Sequence, residues 1–476
     1  MKGETLQGGG RGNSENVSGR SAVEGAGSSV LEEAGRVVAV IKGHWELHNY
    51  LEAYEAAFVA VEKFGFRMPW KKMPPLEVLL QGGKVKCSVR NWSQACLEWP
   101  WCEDLVARAS IQVACAALPA IMRVDSRLGY RVAAWCIGLG ERYGKTPEAI
   151  RAYAYYGLIY NNGQVGSRGG GEGALRLILA MAREGAASIG CRAEAFYSAG
   201  MFPLSSGISS AEATEYLREG VAAGQESGDS FHEASARVGL VMGSWMKGNR
   251  LTDLWGSVLE HLPALERSGE GEALAVVRLI RQGVLGLQGK LPDPPYLDDD
   301  SFDEGQFLGD LAGFRNPHFA QFSYLFCAYY CCLVGRPTAA RAHIHNSREN
   351  LESASGMFAH AEHYFLEGLL QILVPEIPLD LKTFNQSQDF LLGHCGKAGD
   401  YSMKGEFLRA GLKCRNGKPT QLVQVIQQAA ERGNQAMVAL GSSLLAGTPG
   451  AGVSSKDKMD AWVDYGLAQR LDGSPF

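Results

Sequence analysis

Several things are scarce in this sequence, and each scarcity narrows the reading. The first 28 residues are glycine, serine and polar residues without an apolar core of the kind a secretory signal carries. No uncharged apolar run reaches the ~18 residues that a membrane-spanning helix needs; Phe319–Val334 comes closest and is interrupted by Gln321, Ser323 and tyrosines. Cysteine is present at 11 positions, an odd number with irregular spacing, which does not form a secreted disulfide framework. Together these features point to a cytoplasmic, reducing setting with no membrane association. No basic surface stands out either: the net charge is −5, and the densest basic run is Lys71–Lys72 followed by Lys84 and Lys86. That balance argues against nucleic acid as a partner. Two-residue alternation of apolar and polar side chains, the mark of a half-buried strand, is also missing over any useful length.

What is abundant is apolar side chain and glycine. Hydrophobic residues make up 46% of the 476-residue chain and charged residues 20%, enough for a large core. The 59 glycines suit an array of short helices, each closed by a residue with φ > 0. Residues 1–28 read as a disordered tail. Ser29 and Glu32 then have the spacing of a capping box. From Trp45, the residues Leu47, Tyr50, Leu51, Tyr54, Phe58 and Val61 share one helical face, closed by Gly65. Residues 66–100 read as a proline-containing connector with one short helix around Leu76–Leu80.

From Glu103 onward, apolar segments of 15–20 residues alternate with brief breaks at Asp125-Ser126, Gly144–Pro147, Asn161–Gly171, Gly190, Pro203–Ser210, Gly228-Asp229, Gly248-Asn249 and Ser268–Gly271. Helices joined by such short turns are antiparallel neighbours. The expected fold is all-α, an α-solenoid of tandem antiparallel hairpins of tetratricopeptide type, without a strict 34-residue period. Its blocks are residues 29–100 (N-terminal helices and connector), 101–290 (first repeat block) and 306–476 (second). The acidic, proline-rich loop 291–305 splits the array. Further helices are expected over Asn316–Gly335, Thr338–Ala354, Gly356–Val374, Gln386–Ala398, Tyr401–Cys414, Thr420–Glu431, Asn434–Ala446 and Asp457–Leu471. In the turn at Gly335, the alanines Ala339, Ala340 and Ala342 allow close packing of the helix that follows.

Candidate chemistry is thin. Gly144-Lys145-Thr146 suggests a phosphate loop, but that loop requires glycine five residues before Gly144, and Leu139 stands there. The better reading is a helix ending at Gly144, with Thr146 capping the next and Pro147 in its first turn. The glycine-rich Gly166–Gly173 reads as a connector. His343 with His345, and His360 with His363, lack the order of a zinc motif and read as packing histidines. Cys327, Cys331 and Cys332 lack a second ligand pair and read as core. No cofactor, metal or catalytic residue is expected. Among the helical glycines, Gly138, Gly157, Gly239 and Gly368 read as positions that weaken their helices.

Four segments carry a resemblance. They are Trp135–Gly157, the stretch Arg192–Asp229 with its helix Glu212–Gly220, Ser301–Phe307, and Tyr324–Leu370 with Ser355–Phe365 inside it. They resemble the helical-repeat region of large multidomain signalling proteins, in which a serine/threonine kinase-like domain, a signal-transduction ATPase, a GAF domain and a sensor histidine kinase surround that region. The resemblance spans about residues 100–445. It implies a non-catalytic scaffold for protein–protein interaction in a kinase- or ATPase-linked phosphorelay, with kinase or ATPase domains as partners. The family's catalytic chemistry resides in domains this sequence does not contain. The alternatives are a nucleotide-responsive switch centred on Lys145, or a non-functional fragment of a multidomain kinase. Residues assigned to partner contact are Asp298, Asp299 and Asp300 with Phe302 in the acidic loop, Tyr324 and Tyr329 from the aromatic stripe, and His360 and His363.

Overall fold

The computed structural model describes residues 27–69, 96–159, 170–184, 189–292, 296–373, 379–394, 399–446, 460–461 and 464–465. Among them the secondary structure is helical, with two isolated β-bridges and no strand. The expected Leu76–Leu80 helix, residues 166–169 of the expected Gly166–Gly173 connector and most of Asp457–Leu471 lie outside the described residues; the rest of that connector, from Gly170, is corrected to the first turn of a helix.

Helices α1 (Gly27–Glu46), α2 (Tyr50–Lys63) and α3 (Leu105–Val124) pack on one another. Ser29 lies inside the first turn of α1 and not at its cap, because the helix begins two residues earlier. The predicted stripe is corrected as well. Leu47 and Leu51 face solvent, 70% and 46% exposed, since α1 and α2 are broken at His48-Asn49; α2 buries Ala53, Tyr54, Ala57, Ala60 and Val61. The helix α3 starts at Asp104, whose carboxylate accepts from the N–H groups of Val106 and Ala107, both at 3.0 Å. It is long and apolar enough, by length and composition, to cross a membrane, contrary to the sequence expectation, and here it is a largely buried helix of the core.

Asp125 separates α3 from α4 (Ser126–Tyr143) and caps the latter through Leu128 N–H at 3.1 Å. Gly144, at φ +107°, ends α4. Pro147 opens a short 3-10 turn as expected, but Thr146 Oγ1 donates to Glu148 and caps nothing. Next come α5 (Ile150–Ala154), which runs into a π-turn at Tyr155–Ile159, then α6 (Gly170–Arg183), α7 (Ile189–Met201), the single turn α8 (Pro203–Ser206) and α9 (Ser210–Ser227). Gly190 sits inside α7 and is not a break. Ser209 and Glu212 form a full capping box at the start of α9.

From there the stack is regular. Helices α10 (Ser230–Met246), α11 (Leu251–Ser268) and α12 (Gly271–Leu287) are followed by the short α13 (Glu304–Asp310), then α14 (Pro317–Leu333), α15 (Pro337–Glu349) and α16 (Phe358–Leu373). The chain continues with α17 (Leu381–His394), α18 (Gly399–Arg415), α19 (Thr420–Glu431) and α20 (Gln435–Ala446). Each hairpin partner packs on its neighbour, and α10, α12, α14, α16, α18 and α20 also pack on one another in sequence. Because α12 touches α14 directly, the acidic loop interrupts the chain but not the stack.

The array also folds back on itself. Gly248 C=O, in the turn after α10, accepts from Ala436 N–H at 3.0 Å, and Leu204 N–H donates to Gly356 C=O at 3.0 Å. Lys404 Nζ donates to Met246 C=O at 3.1 Å. Trp245 lies 5.4 Å from the ring of Phe326 and 5.3 Å from that of Tyr329. These contacts join α7–α10 to α14–α20 across the interior.

Candidate functional site

The residues assigned to partner contact fall in different places. Asp298 and Asp300 are exposed, but much of this acidic turn is occupied with its own backbone. Asp298 accepts from Glu304 N–H at 2.7 Å, and Asp299 accepts from both Ser301 N–H and Ser301 Oγ at 2.7 Å. Phe302 is half-buried, its ring 5.4 Å from that of Phe307, and it bridges back to Asp299. Asp300 projects freely. Tyr324 is half-buried beside His343.

Tyr329 and His363 are corrected to core residues. Tyr329 is 6% exposed and its hydroxyl lies 2.5 Å from that of Tyr465. His363 is fully buried, with Nδ1 2.5 Å from Ser347 Oγ; burial, and secondarily Arg348 and His360, pull its pKa down to about 3, so it is a neutral imidazole. His360 packs its ring 4.7 Å from Phe390. Among the described residues, neither histidine belongs to a cluster of metal-ligating side chains. Cys327 and Cys331 are buried thiols whose pKa values burial raises, as expected of core residues.

The phosphate-loop reading fails on geometry. Lys145 is 5% exposed; its ammonium donates to Leu97 C=O at 3.0 Å, pairs with Glu184 at 3.3 Å and lies 4.9 Å above the Trp101 ring. A lysine with those partners is not available to a phosphate, and a helix rather than a strand precedes it.

One concave feature that draws on many helices was not apparent in the sequence. A cavity of about 420 Å³ opens where α1, α3, α4, α5, α7, α10, α14 and α15 approach one another. Its aromatic lining includes Tyr130, Tyr155, Tyr197, Phe202 and Phe231. Its polar wall holds three guanidiniums. Arg151 donates Nε to Glu194 and Nη1 to Cys115 C=O at 3.1 Å; Arg315 pairs with Glu272 at 3.3 Å; Arg123 donates to Phe314 C=O at 2.9 Å and leans on the Tyr50 ring. His232 is fixed by Asp229, which accepts from its Nδ1 at 2.8 Å; that contact, against the cost of burial, holds the Asp229 carboxyl down at about 2. His318, on the far wall, is held neutral with its pKa lowered to about 4 by burial and then by Arg123. The residues come from positions 45 to 353, so no local motif announces them.

No protein-family model matches the chain, and comparison with curated proteins and with solved structures finds no match.

Proposed function

We propose that the chain is a tetratricopeptide-like α-solenoid that serves as a non-catalytic scaffold for protein–protein interaction, within a kinase- or ATPase-linked phosphorelay system. The observation that carries this reading is the packing order: hairpin neighbours touch, and every second helix from α10 to α20 touches the next of its set. Stacked helices of this kind present extended surfaces to partners. The phosphorelay setting rests on the resemblance of Trp135–Gly157, Arg192–Asp229, Ser301–Phe307 and Tyr324–Leu370. The Lys145 ammonium, being engaged, supports a scaffold over a nucleotide switch. Within the surface, Asp300 and Tyr324 are the positions we assign to partner contact, with a kinase or ATPase domain that presents basic residues as the partner.

The test is affinity capture of the full chain from its native source, with the native mass recorded and co-captured chains identified. A reproducible partner bearing kinase or ATPase peptides, lost on Asp300→Lys, is the expected result. Mg-ATP binding abolished by Lys145→Ala would replace this reading with the nucleotide switch.

A further inference from the structure

The cavity is built at two departures from regular helix. Pro119, inside α3, lines it and has no N–H to give the carbonyl of Cys115 four residues earlier. Arg151 Nη1 donates to that carbonyl at 3.1 Å, and Glu194 neutralises the guanidinium. Further along, α5 passes into the π-turn Tyr155–Ile159, and Tyr155, the first residue of that turn, also lines the space. Single π-turns recur at functional sites.

The polar groups of the wall are spent on the protein. Glu272 accepts from the backbone N–H groups of Arg315 and Asn316 and pairs with the Arg315 guanidinium. Asp125 accepts from Leu128 N–H, Asn316 from His318 N–H, and Asp229 from His232 Nδ1. Burial, and then Arg123, lower the His318 pKa to about 4, so that imidazole is neutral. Arg123, Glu349 and Glu352 are exposed, where water and salt screen them. Among the described residues the lining holds three guanidiniums and four carboxylates, Asp125, Glu194, Glu349 and Glu352, so neither sign dominates. An ion that enters gives up hydration and meets charges that are already paired or screened.

What this leaves facing the space is largely ring. Six of the 25 described lining residues are Trp45, Tyr130, Tyr155, Tyr197, Phe202 and Phe231, in a chain of which 9% is aromatic. Phe202 meets His318 edge to face with centroids 6.4 Å apart, and Phe231 meets His232 in the same way at 5.1 Å. Rings fixed in this manner suit stacked or edge-on contact with a further ring. A volume of about 420 Å³ falls in the range of small-molecule sites.

We propose that this cavity is a binding site for an uncharged, planar aromatic molecule, held by ring contacts and not by a charge. The site is independent of the scaffold reading: it stands on the cavity alone, and either can fail without the other.

The test uses the full chain and four probes, titrated calorimetrically: 2-naphthylmethanol, its charged counterparts 2-naphthoate and 2-naphthylmethylammonium, and its saturated counterpart decahydro-2-naphthylmethanol. Naphthylmethanol is expected to bind saturably with one site per chain, about tenfold tighter or more than either ion and than the saturated alcohol. Phe231 is 38% exposed, so Phe231→Ala removes a wall ring without opening the core. It should weaken naphthylmethanol about fivefold or more at an unchanged melting temperature. Hydrogen exchange places the site without any variant: bound naphthylmethanol should slow exchange in residues 151–159 and 194–202 and leave 420–446 unchanged. Absence of saturable naphthylmethanol binding, equal or tighter binding of either ion or of the saturated alcohol, binding undiminished by Phe231→Ala, or protection that appears only away from the cavity walls would overturn the proposal.

Discussion

At the scale of single residues, the buried polar groups set the sharpest expectations. Lys404 and Glu362 form an ion pair with both side chains almost wholly inside, 5% and 4% exposed. Tyr401 donates a further hydrogen bond to Glu362 at 3.1 Å, and the ammonium lies 5.1 Å from the Phe365 ring and 4.8 Å from that of Tyr401. Removing one partner leaves an uncompensated buried charge, so Lys404→Met should cost about 3–5 kcal/mol in urea unfolding. Replacing both, as Lys404→Met/Glu362→Leu, should recover most of that loss, because the desolvation penalty goes with the pair.

His363 gives a pH dependence. Its folded pKa, about 3, lies below the ~6.5 of an unfolded histidine. Between those values the unfolded chain binds the extra proton. The stability contributed by the neutral imidazole is therefore complete above about pH 6.5 and declines as pH falls through the window toward 3. His343, lowered to about 4 by burial and then by Arg336, acts in the same direction. Unfolding free energy should thus drop from pH 7 to pH 5. His363→Gln should flatten that slope by up to about 1.4 kcal/mol per pH unit, whatever its effect on stability at pH 7. The sequence reading of His343 and His363 as packing groups agrees with their burial, whereas the assignment of His363 to partner contact does not. Which of them is sealed inside depends on the crossing of α15 and α16, through the Ser347 contact, and that is not visible in one dimension.

At the scale of elements, the caps were the legible part. Gly228-Asp229, Gly248 and Gly335 end or start helices where the sequence places them, because φ > 0 and capping oxygens are local requirements. The glycines inside helices were misjudged in part. A side chain at Gly239 would meet Met201 Sδ at 2.7 Å, and one at Gly368 would meet Leu408 Cδ1 at 2.5 Å. These are points where two helices approach closely, not defects. Gly138 is the opposite case: it is exposed in α4, and a Cβ there would meet nothing within 4 Å. Gly138→Ala should therefore stabilise the protein by about 0.5–1 kcal/mol through helix propensity. Gly239→Ala and Gly368→Ala should destabilise it, by about 1–3 kcal/mol for overpacking. Thermal melting of the three variants separates the classes. The same spacing rule that reads all four glycines alike cannot see the partner helix, which explains the misreading.

At the scale of the whole molecule, the all-helical class was legible because periodicity and turn chemistry are local. The fold-back was not. It depends on the turn after α10 reaching the start of α20, where Gly248 at φ +70° lies so close to Asn434 that a Cβ would meet Oδ1 at 2.2 Å. Asn434 in turn accepts from Met437 N–H at 3.0 Å. Gly248→Ala combines left-handed strain with that clash, so it should loosen the α10–α20 junction. Hydrogen exchange should then quicken in residues 244–250 and 434–440 while α3 and α4 keep their protection. The cavity was equally hidden, since its walls come from eight helices and exist only once the array has closed.

The measurement that tests the scaffold account most directly is cross-linking mass spectrometry on the complex captured with the full chain. Lys290 is exposed in the segment that leads into the acidic turn, ten residues before Asp300, and provides an amine for the cross-link. The account predicts cross-links from Lys290 to a basic segment of a kinase- or ATPase-bearing partner, weakened when Asp300→Lys reverses the charge of the turn. A partner cross-linked only elsewhere on the chain with the Asp300→Lys variant binding undiminished, or no partner at all, would contradict it.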